Sequence, residues 1–228
     1  MIFLFPIIYI STFIISFPTE LSSQTLSRPY TIFHANVLYF NKRYEDLLSE
    51  IEKYDPDIIV LQETTYEWEE ALPILFEKYP YGLNKTENPF TAMIVRSRIE
   101  PLEIIDYEDL NIPVIELVFN DVRIFTAHPL APVSKYFWET RNSQINTLSS
   151  FLDTEGNRIL IGDFNISSYS PYFNLLEKYH VNRFYISWPT FFPFMGTAID
   201  HVFSNLPVKE FQVGDDIGSD HYPLIVKF

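Results

Sequence analysis

The sequence has no cysteine, which excludes disulfide staples, thiolate zinc sites and a cysteine nucleophile. It is also poor in positive charge: 16 Lys and Arg stand against 30 Asp and Glu, for a net charge of −14. So acidic a chain does not coat a polyanion with its general surface, and only a local basic groove is left open. Lys42, Arg43, Lys135 and Arg141 are the residues that would supply one. Internal repeats and low-complexity tracts are missing as well, so arrays and biased tails are excluded. What is present is apolar. Hydrophobic residues make up 47% of the 228 positions, with 21 Phe and 15 Tyr, enough for a sizeable core; general disorder is thereby excluded.

Residues 1–19, MIFLFPIIYISTFIISFPT, carry no charged side chain and fall at the low end of the length needed to cross a bilayer. No basic residue precedes the run and no small-x-small cleavage site follows it, so a retained anchor is favoured over a cleaved export signal. The other readings are the last span of a longer membrane region and a buried element of the globular part. Residues 20–28 are polar at SSQTLSR and read as a linker, leaving 29–228 as one domain.

Within that domain, β-rich runs alternate with amphipathic helices. Residues 30–37, 57–61, 91–96, 114–119, 122–127, 158–161, 198–203, 209–213 and 222–227 are expected as strands, with Asn120 and Asp121 forming a hairpin turn. Helices are expected over 43–54 and over 65–79, where Pro73 should kink or divide the second. A third should run from a Ser134 cap to about Leu152, and a fourth should start at Ser170–Pro171. Several adjacent strand pairs with helices between them predict a layered α/β sandwich rather than one parallel sheet.

The chemistry lies where strands end: Asn36, Glu63, His128, Asp163 with Asn165, Asp200 with His201, and Asp220 with His221. Strand ends can aim side chains from distant positions into one cleft. The set is rich in oxygen and has no thiolate, which suits a hard cation such as Mg²⁺ or Mn²⁺ better than structural zinc. Each residue alone has a plainer explanation. Asn36 can satisfy a turn, Glu63 can cap the following helix, Asp163 and Asn165 are ordinary turn residues, and His128 can be a bonded loop histidine. Their joint occurrence in this order is what points to a site.

Six motifs resemble the endonuclease/exonuclease/phosphatase superfamily of metal-dependent phosphoesterases: HANV at Asn36, PDIIVLQET at Glu63, TAHP at His128, LIGDFN at Asp163 and Asn165, AIDHVF at Asp200, and GSDHYPL at Asp220 and His221. They span residues 33–228. HPLAP at 128–132, WPT at 188–190 and the apolar N-terminus are similar to a bacterial branch whose catalytic domain follows hydrophobic segments. The resemblance implies a four-layer sandwich, two mixed β-sheets packed face to face with helices outside. It implies hydrolysis of a phosphodiester or phosphomonoester by in-line attack of an activated water.

By the same resemblance Glu63 would be the main metal carboxylate, with Asn36 and Asp220 beside it. His221 would polarise the water or act as base, oriented by Asp200, while Asp163 and Asn165 would place the water. His128 would hydrogen-bond the phosphoryl oxygens, and Asp163 or His221 would take the proton. Arg141 is a candidate phosphate contact whose plain reading is a solvated helix charge. Leu38 stands where some members carry a second acidic residue, which weakens the case for a second metal. His201 should face away from the site by strand alternation.

The expected partner is a phosphate ester; a lipid head group or small phosphodiester fits, and the net charge disfavours nucleic acid. The protein is expected to be a monomer attached to a membrane through residues 1–19 or exported, at a bacterial inner membrane or outside the cytoplasm. The contrasting reading is a catalytically silent binding or scaffold module of the same fold.

Overall fold

The computed structural model describes residues 26–228 apart from residues 89, 182 and 183. The hydrophobic segment 1–19 and linker residues 20–25 lie outside them. Among the described residues, no helix is long and apolar enough to cross a membrane.

The first half of the chain gives β1 (Thr31–Asn36), α1 (Tyr44–Tyr54), β2 (Ile58–Gln62), α2 (Tyr66–Ala71), α3 (Pro73–Lys78), β3 (Tyr81–Lys85), β4 (Met93–Ser97) and β5 (Glu103–Asp106). The second half gives β6 (Val114–Val118), β7 (Arg123–Ala127), α4 (Lys135–Leu152), β8 (Arg158–Asp163), β9 (Asp200–Ser204), β10 (Glu210–Val213) and β11 (Leu224–Lys227). One sheet has six strands in the order β10-β11-β1-β2-β4-β3, and the other five in the order β5-β6-β7-β8-β9. Each sheet holds a single parallel pair, β1 with β2 and β7 with β8. Each pair is joined through a helix, as a parallel connection requires: α1 in the first, α4 in the second.

Strand alternation sorts the apolar side chains into three buried layers. Ile32, Val60, Ile124, Ile159, Ile161 and Val226 meet between the sheets. Phe33, Ile59 and Leu61 face outward under Leu47 and Ile51 of α1, Trp68 of α2 and Leu75 of α3. Phe125, Leu160 and Phe203 face the other way, under Ile145 and Leu148 of α4. The result is the expected four-layer sandwich of two mixed sheets.

Several local expectations hold. Pro73 divides the second helical stretch into α2 and α3, since its ring cannot continue a helix and suits a first turn. Ser134 Oγ accepts the Phe137 N–H at the start of α4. Asn120 and Asp121 form the β6–β7 turn, closed by Phe119 N donating to Val122 O at 2.9 Å. One expectation fails. The stretch after Ser170 forms two short 3-10 turns, Pro171–Leu175 and Glu177–Tyr179. Phe173, Leu176 and Tyr179 are its buried residues, spaced by three, which is the 3-10 repeat.

The chain enters β1 at the end where the β6–β7 hairpin turns. There the Tyr30 hydroxyl donates to Asp121 Oδ1 at 3.0 Å. From that end β1 runs to Asn36 at the opposite end of the sandwich.

Candidate active site

The same alternation that builds the inter-sheet core also builds the site. Inward positions read Ile32, His34, Asn36 on β1; Ile58, Val60, Gln62 on β2; Ile159, Ile161, Asp163 on β8; and Val202, Asp200 on β9. Each row is apolar at one end and polar at the other. Register puts Asn36 beside Gln62 and Asp163 beside Asp200, so the polar ends gather at one mouth.

Two carboxamides tie the sheets together there. Asn36 Nδ2 donates to Glu63 Oε1 at 2.9 Å and to Asp163 Oδ2 at 3.1 Å. Gln62 Nε2 donates to Ala127 O at 2.9 Å, and its Oε1 accepts the Asp163 N–H at 2.8 Å. Gly162 makes room for this link, because a Cβ there would lie 2.0 Å from Ala127 O and 2.8 Å from Gln62 Nε2. Glu63 and Asn165 both sit in the left-handed region, with φ of 56° and 51°. Asn tolerates that conformation; for Glu63 it costs about 1–2 kcal/mol. Glu63 N nonetheless donates to Ala92 O at 3.0 Å, which holds the bend.

Asp200 is wholly buried and its two oxygens are used separately. His221 Nδ1 lies 2.8 Å from Oδ2, and His34 Nε2 lies 3.0 Å from Oδ1. Burial works against the Asp200 charge, but the two imidazoles outweigh it and hold the carboxyl well below the usual carboxylate range. His221 is affected in the opposite sense: burial lowers its pKa, yet Asp200 and Asp163 raise it to about 10. His128, also buried, is raised by Asp163 and Glu63 against the same desolvation. The Nε2 atoms of His128 and His221 lie 3.7 and 3.8 Å from Asp163 Oδ2. Asn165 N donates to Asp163 Oδ1 at 2.8 Å, and Asn165 Nδ2 to Pro129 O at 3.1 Å.

Thus Asn36, Glu63, His128, Asp163, Asn165, Asp200 and His221 converge. Three sequence expectations need correction. Asn36 presents its amide nitrogen to the carboxylates, while its Oδ1 accepts the Leu38 N–H at 3.0 Å, so it braces Glu63 and Asp163 rather than offering an oxygen to a cation. Arg141 is neither solvated nor turned to the mouth: it is 4% exposed and donates to the Asn165 carbonyl and to Asn142 Oδ1. Among the described residues, the cations proposed for a local basic groove are also engaged elsewhere. Lys42 pairs with Glu67, Arg43 with Asp46 and Asp216, and Lys135 with Glu139. Asp220 sits at the edge, where its Oδ2 accepts from Trp188 Nε1 at 3.0 Å and its Oδ1 lies 3.9 Å from His221 Nε2.

His201 points to the opposite side of its strand, as alternation predicts, and its Nε2 lies 2.7 Å from Ile166 O. Burial pushes its pKa down to about 4. A depressed folded-state value means that the unfolded chain binds the extra proton first as pH falls. Stability from His201 is therefore complete above pH ~6.5 and lost on the way down to pH ~4, about 3 kcal/mol in all. Urea melts between pH 7 and pH 4.5 should show this loss in the wild type and a smaller pH dependence in His201→Gln.

Other residues that shape the site were not singled out by their sequence context. His34 and Gln62 share inward rows with Asn36 and Val60, so alternation was the signal available for them. Ser187 Oγ accepts the Ile199 and Asp200 N–H groups at 3.0 and 3.1 Å. Ser219 Oγ donates to Asn36 O at 2.7 Å and accepts from His221 N at 3.1 Å.

Two groups of side chains bring one ligand atom each within 4.8 Å of one another: Glu63, His128 and Asp163, and Asp163, Asp200 and His221. The first fits a hard divalent cation, with two carboxylates and an imidazole at a partly open mouth. In the second, Asp200 is already satisfied by two imidazoles, so that group reads as a hydrogen-bonded Asp200–His221 pair whose Nε2 faces Asp163.

The chain belongs to the endonuclease/exonuclease/phosphatase family, whose sequence pattern it matches over residues 33–221. Members of this family are phosphoric ester hydrolases that use divalent metal ions. A search of curated proteins returns no match. Among solved structures, the chain is similar to a humanized D. rerio TDP2 at 16% identity and a TM-score of 0.69, covering 88% of this chain and 98% of that one. It is similar to the Neisseria 3′ phosphatase NExo bound to product DNA hairpin at 19% identity and 0.67, covering 87% and 99%. An endonuclease/exonuclease/phosphatase from Beutenbergia cavernae DSM 12333 gives 18% and 0.67, covering 88% and 71%. At these identities the likeness is one of fold.

Proposed function

We propose that this protein hydrolyses a phosphate ester by in-line attack of water, with a divalent cation held by Glu63 beside Asp163 and His128. The observation that carries the reading is the position of Asp163 Oδ2, which faces Asn36 Nδ2 and the Nε2 atoms of His128 and His221 from both sheets. When bound, the cation would offset charge on the phosphoryl oxygens and favour deprotonation of water. Asp163 accepts the proton of the attacking water. His221, held by Asp200 on Nδ1, presents Nε2 to the oxygens where charge builds, and His128 Nε2 stands beside it. Asn165, anchored by Nδ2 on Pro129 O, leaves its Oδ1 for the water.

A silent scaffold would keep the sandwich without needing a left-handed Glu63 or a buried Asp200 between two imidazoles. The left-handed Glu63 costs stability, and both features support turnover instead. The test is a Mg²⁺-supplemented panel of phosphodiesters and phosphomonoesters, run on the purified protein with and without chelator. Chelator-sensitive turnover supports the reading, and none across nucleic acid, phospholipid and phosphosugar substrates returns the scaffold.

On substrate, we propose a small or amphiphilic phosphodiester over long duplex DNA. The loops that leave the site strands expose Tyr39, Phe40, Trp188, Phe191 and Phe194, while the nearby cations Lys42, Arg43 and Lys135 are engaged by carboxylates. A polyanion would meet a rim with little uncompensated positive charge. Substrate affinity should thus vary weakly with salt, with a log–log slope of magnitude below about 2, whereas six phosphate contacts would give about −5. A steep slope between 50 and 200 mM salt, to take a roughly fourfold range, would favour nucleic acid. The uncharged run at 1–19 supports attachment to a membrane, which fractionation of the full-length protein tests.

A further inference from the structure

We infer that His34 is a positioning residue, fixing the Asp200 carboxylate so that Asp200 in turn fixes His221; the inference rests on the hydrolytic reading above. His34 lies on the inward row of β1, two residues before Asn36, and is wholly buried. Its register partners on the neighbouring strands are Leu224 and Val60, both apolar. A hydrocarbon side chain would suit those neighbours better, and His34 Nδ1 is in fact buried without a hydrogen-bond partner among the described residues. Among the described residues, the one side chain that His34 hydrogen-bonds is Asp200, with Nε2 3.0 Å from Oδ1. Carboxylate oxygens only accept, so this nitrogen carries the hydrogen.

What this contact does follows from the geometry of a carboxylate. The terminal torsion of Asp is broad and two-fold, so one hydrogen bond leaves the group free to swing. Ser187 fixes the Asp200 backbone N–H but not its carboxylate. His34 on Oδ1 and His221 on Oδ2, at 3.0 and 2.8 Å, fix its plane at two points. The plane of Asp200 then sets the His221 ring, whose Nε2 faces Asp163 Oδ2 at 3.8 Å. Without His34, Oδ1 loses its side-chain donor in a buried setting and the carboxylate turns, releasing His221 from its aim. The effect is one of orientation and falls on turnover rather than on substrate capture.

The test compares three substitutions in the full-length protein. His34→Leu should lower kcat about 30-fold, the scale seen when partners behind a reacting group are removed, with KM within about twofold. His34→Gln, whose amide nitrogen reaches where Nε2 sits, should recover kcat to within about fivefold of wild type. Adding His34→Leu to Asp200→Asn should cost less than about threefold more, because the two residues act as one unit. Proton NMR of the His221 Nδ1–H gives a readout that needs no turnover: its low-field resonance should broaden or vanish in His34→Leu and persist in His34→Gln. If His34→Leu does not fold, His34→Asn replaces it. Its donor stops at the Nδ1 position, so it should behave as the Leu variant does. A wild-type rate and an unchanged His221 resonance in the Leu or Asn variant would overturn the inference. Absence of metal-dependent turnover in the wild type would overturn the hydrolytic reading alone, and the NMR result would still decide whether His34 positions His221.

Discussion

His221→Ala is expected to lower kcat by about 10³-fold while the protein keeps its fold. His221 stands where the two sheets meet the solvent: Nδ1 is fixed on Asp200, and Nε2 faces Asp163 and Asp220. Its removal takes away the imidazole donor aimed at the phosphoryl oxygens and leaves the rest of the constellation standing. The strand that follows, β11, is held by pairing to β1 and β10, so the truncation does not open the sheet. Asp200 retains His34 on Oδ1, which keeps the buried carboxylate partnered. Steady-state rates at saturating Mg²⁺, together with near-ultraviolet circular dichroism, would check this. A rate within tenfold of wild type in a folded variant removes His221 from the reaction.

Glu63→Gln should be as severe, for a different reason. The substitution keeps the shape of the side chain and the Oε1 that accepts from Asn36 Nδ2, and it leaves Glu63 N on Ala92 O. What it removes is one of the two carboxylate charges in the Glu63, His128 and Asp163 group. Cation affinity should fall by 10- to 100-fold or more and turnover by about 10³-fold at ordinary Mg²⁺, with thermal stability little changed. Titrating Mg²⁺ and Mn²⁺ against both proteins separates the parts of the loss. Recovery at high metal assigns Glu63 to holding the ion, whereas an unchanged metal requirement would clear Glu63 of that role.

Much of this architecture was legible in the sequence because it depends on patterns that survive without coordinates. The run DIIVL at residues 57–61 is apolar on both faces because β2 lies between β1 and β4 with layers packed above and below. Of the four edge strands, β9 and β10 were expected, whereas β3 and β5 were not legible. β3 reads YGLNK and β5 reads EIID, each pairs on one side alone, and their half-exposed positions carry no clear alternation. At the site, residue types and their places at strand ends pointed to a common mouth. Side-chain direction was beyond reach: Arg141 has the composition of a phosphate ligand, yet α4 turns it inward onto the Asn165 loop. His34 was hidden by a similar effect. A lone histidine inside an apolar strand has no local mark of its purpose, and its partner lies 166 residues along the chain.

The polarity of β1 carries a consequence for access. The strand leaves the Tyr30–Asp121 corner and reaches Asn36 about 20 Å away, so that corner and the reaction centre lie at opposite ends of the sandwich. Anything docked against that corner would therefore leave the catalytic mouth clear, with substrate approaching from the opposite side.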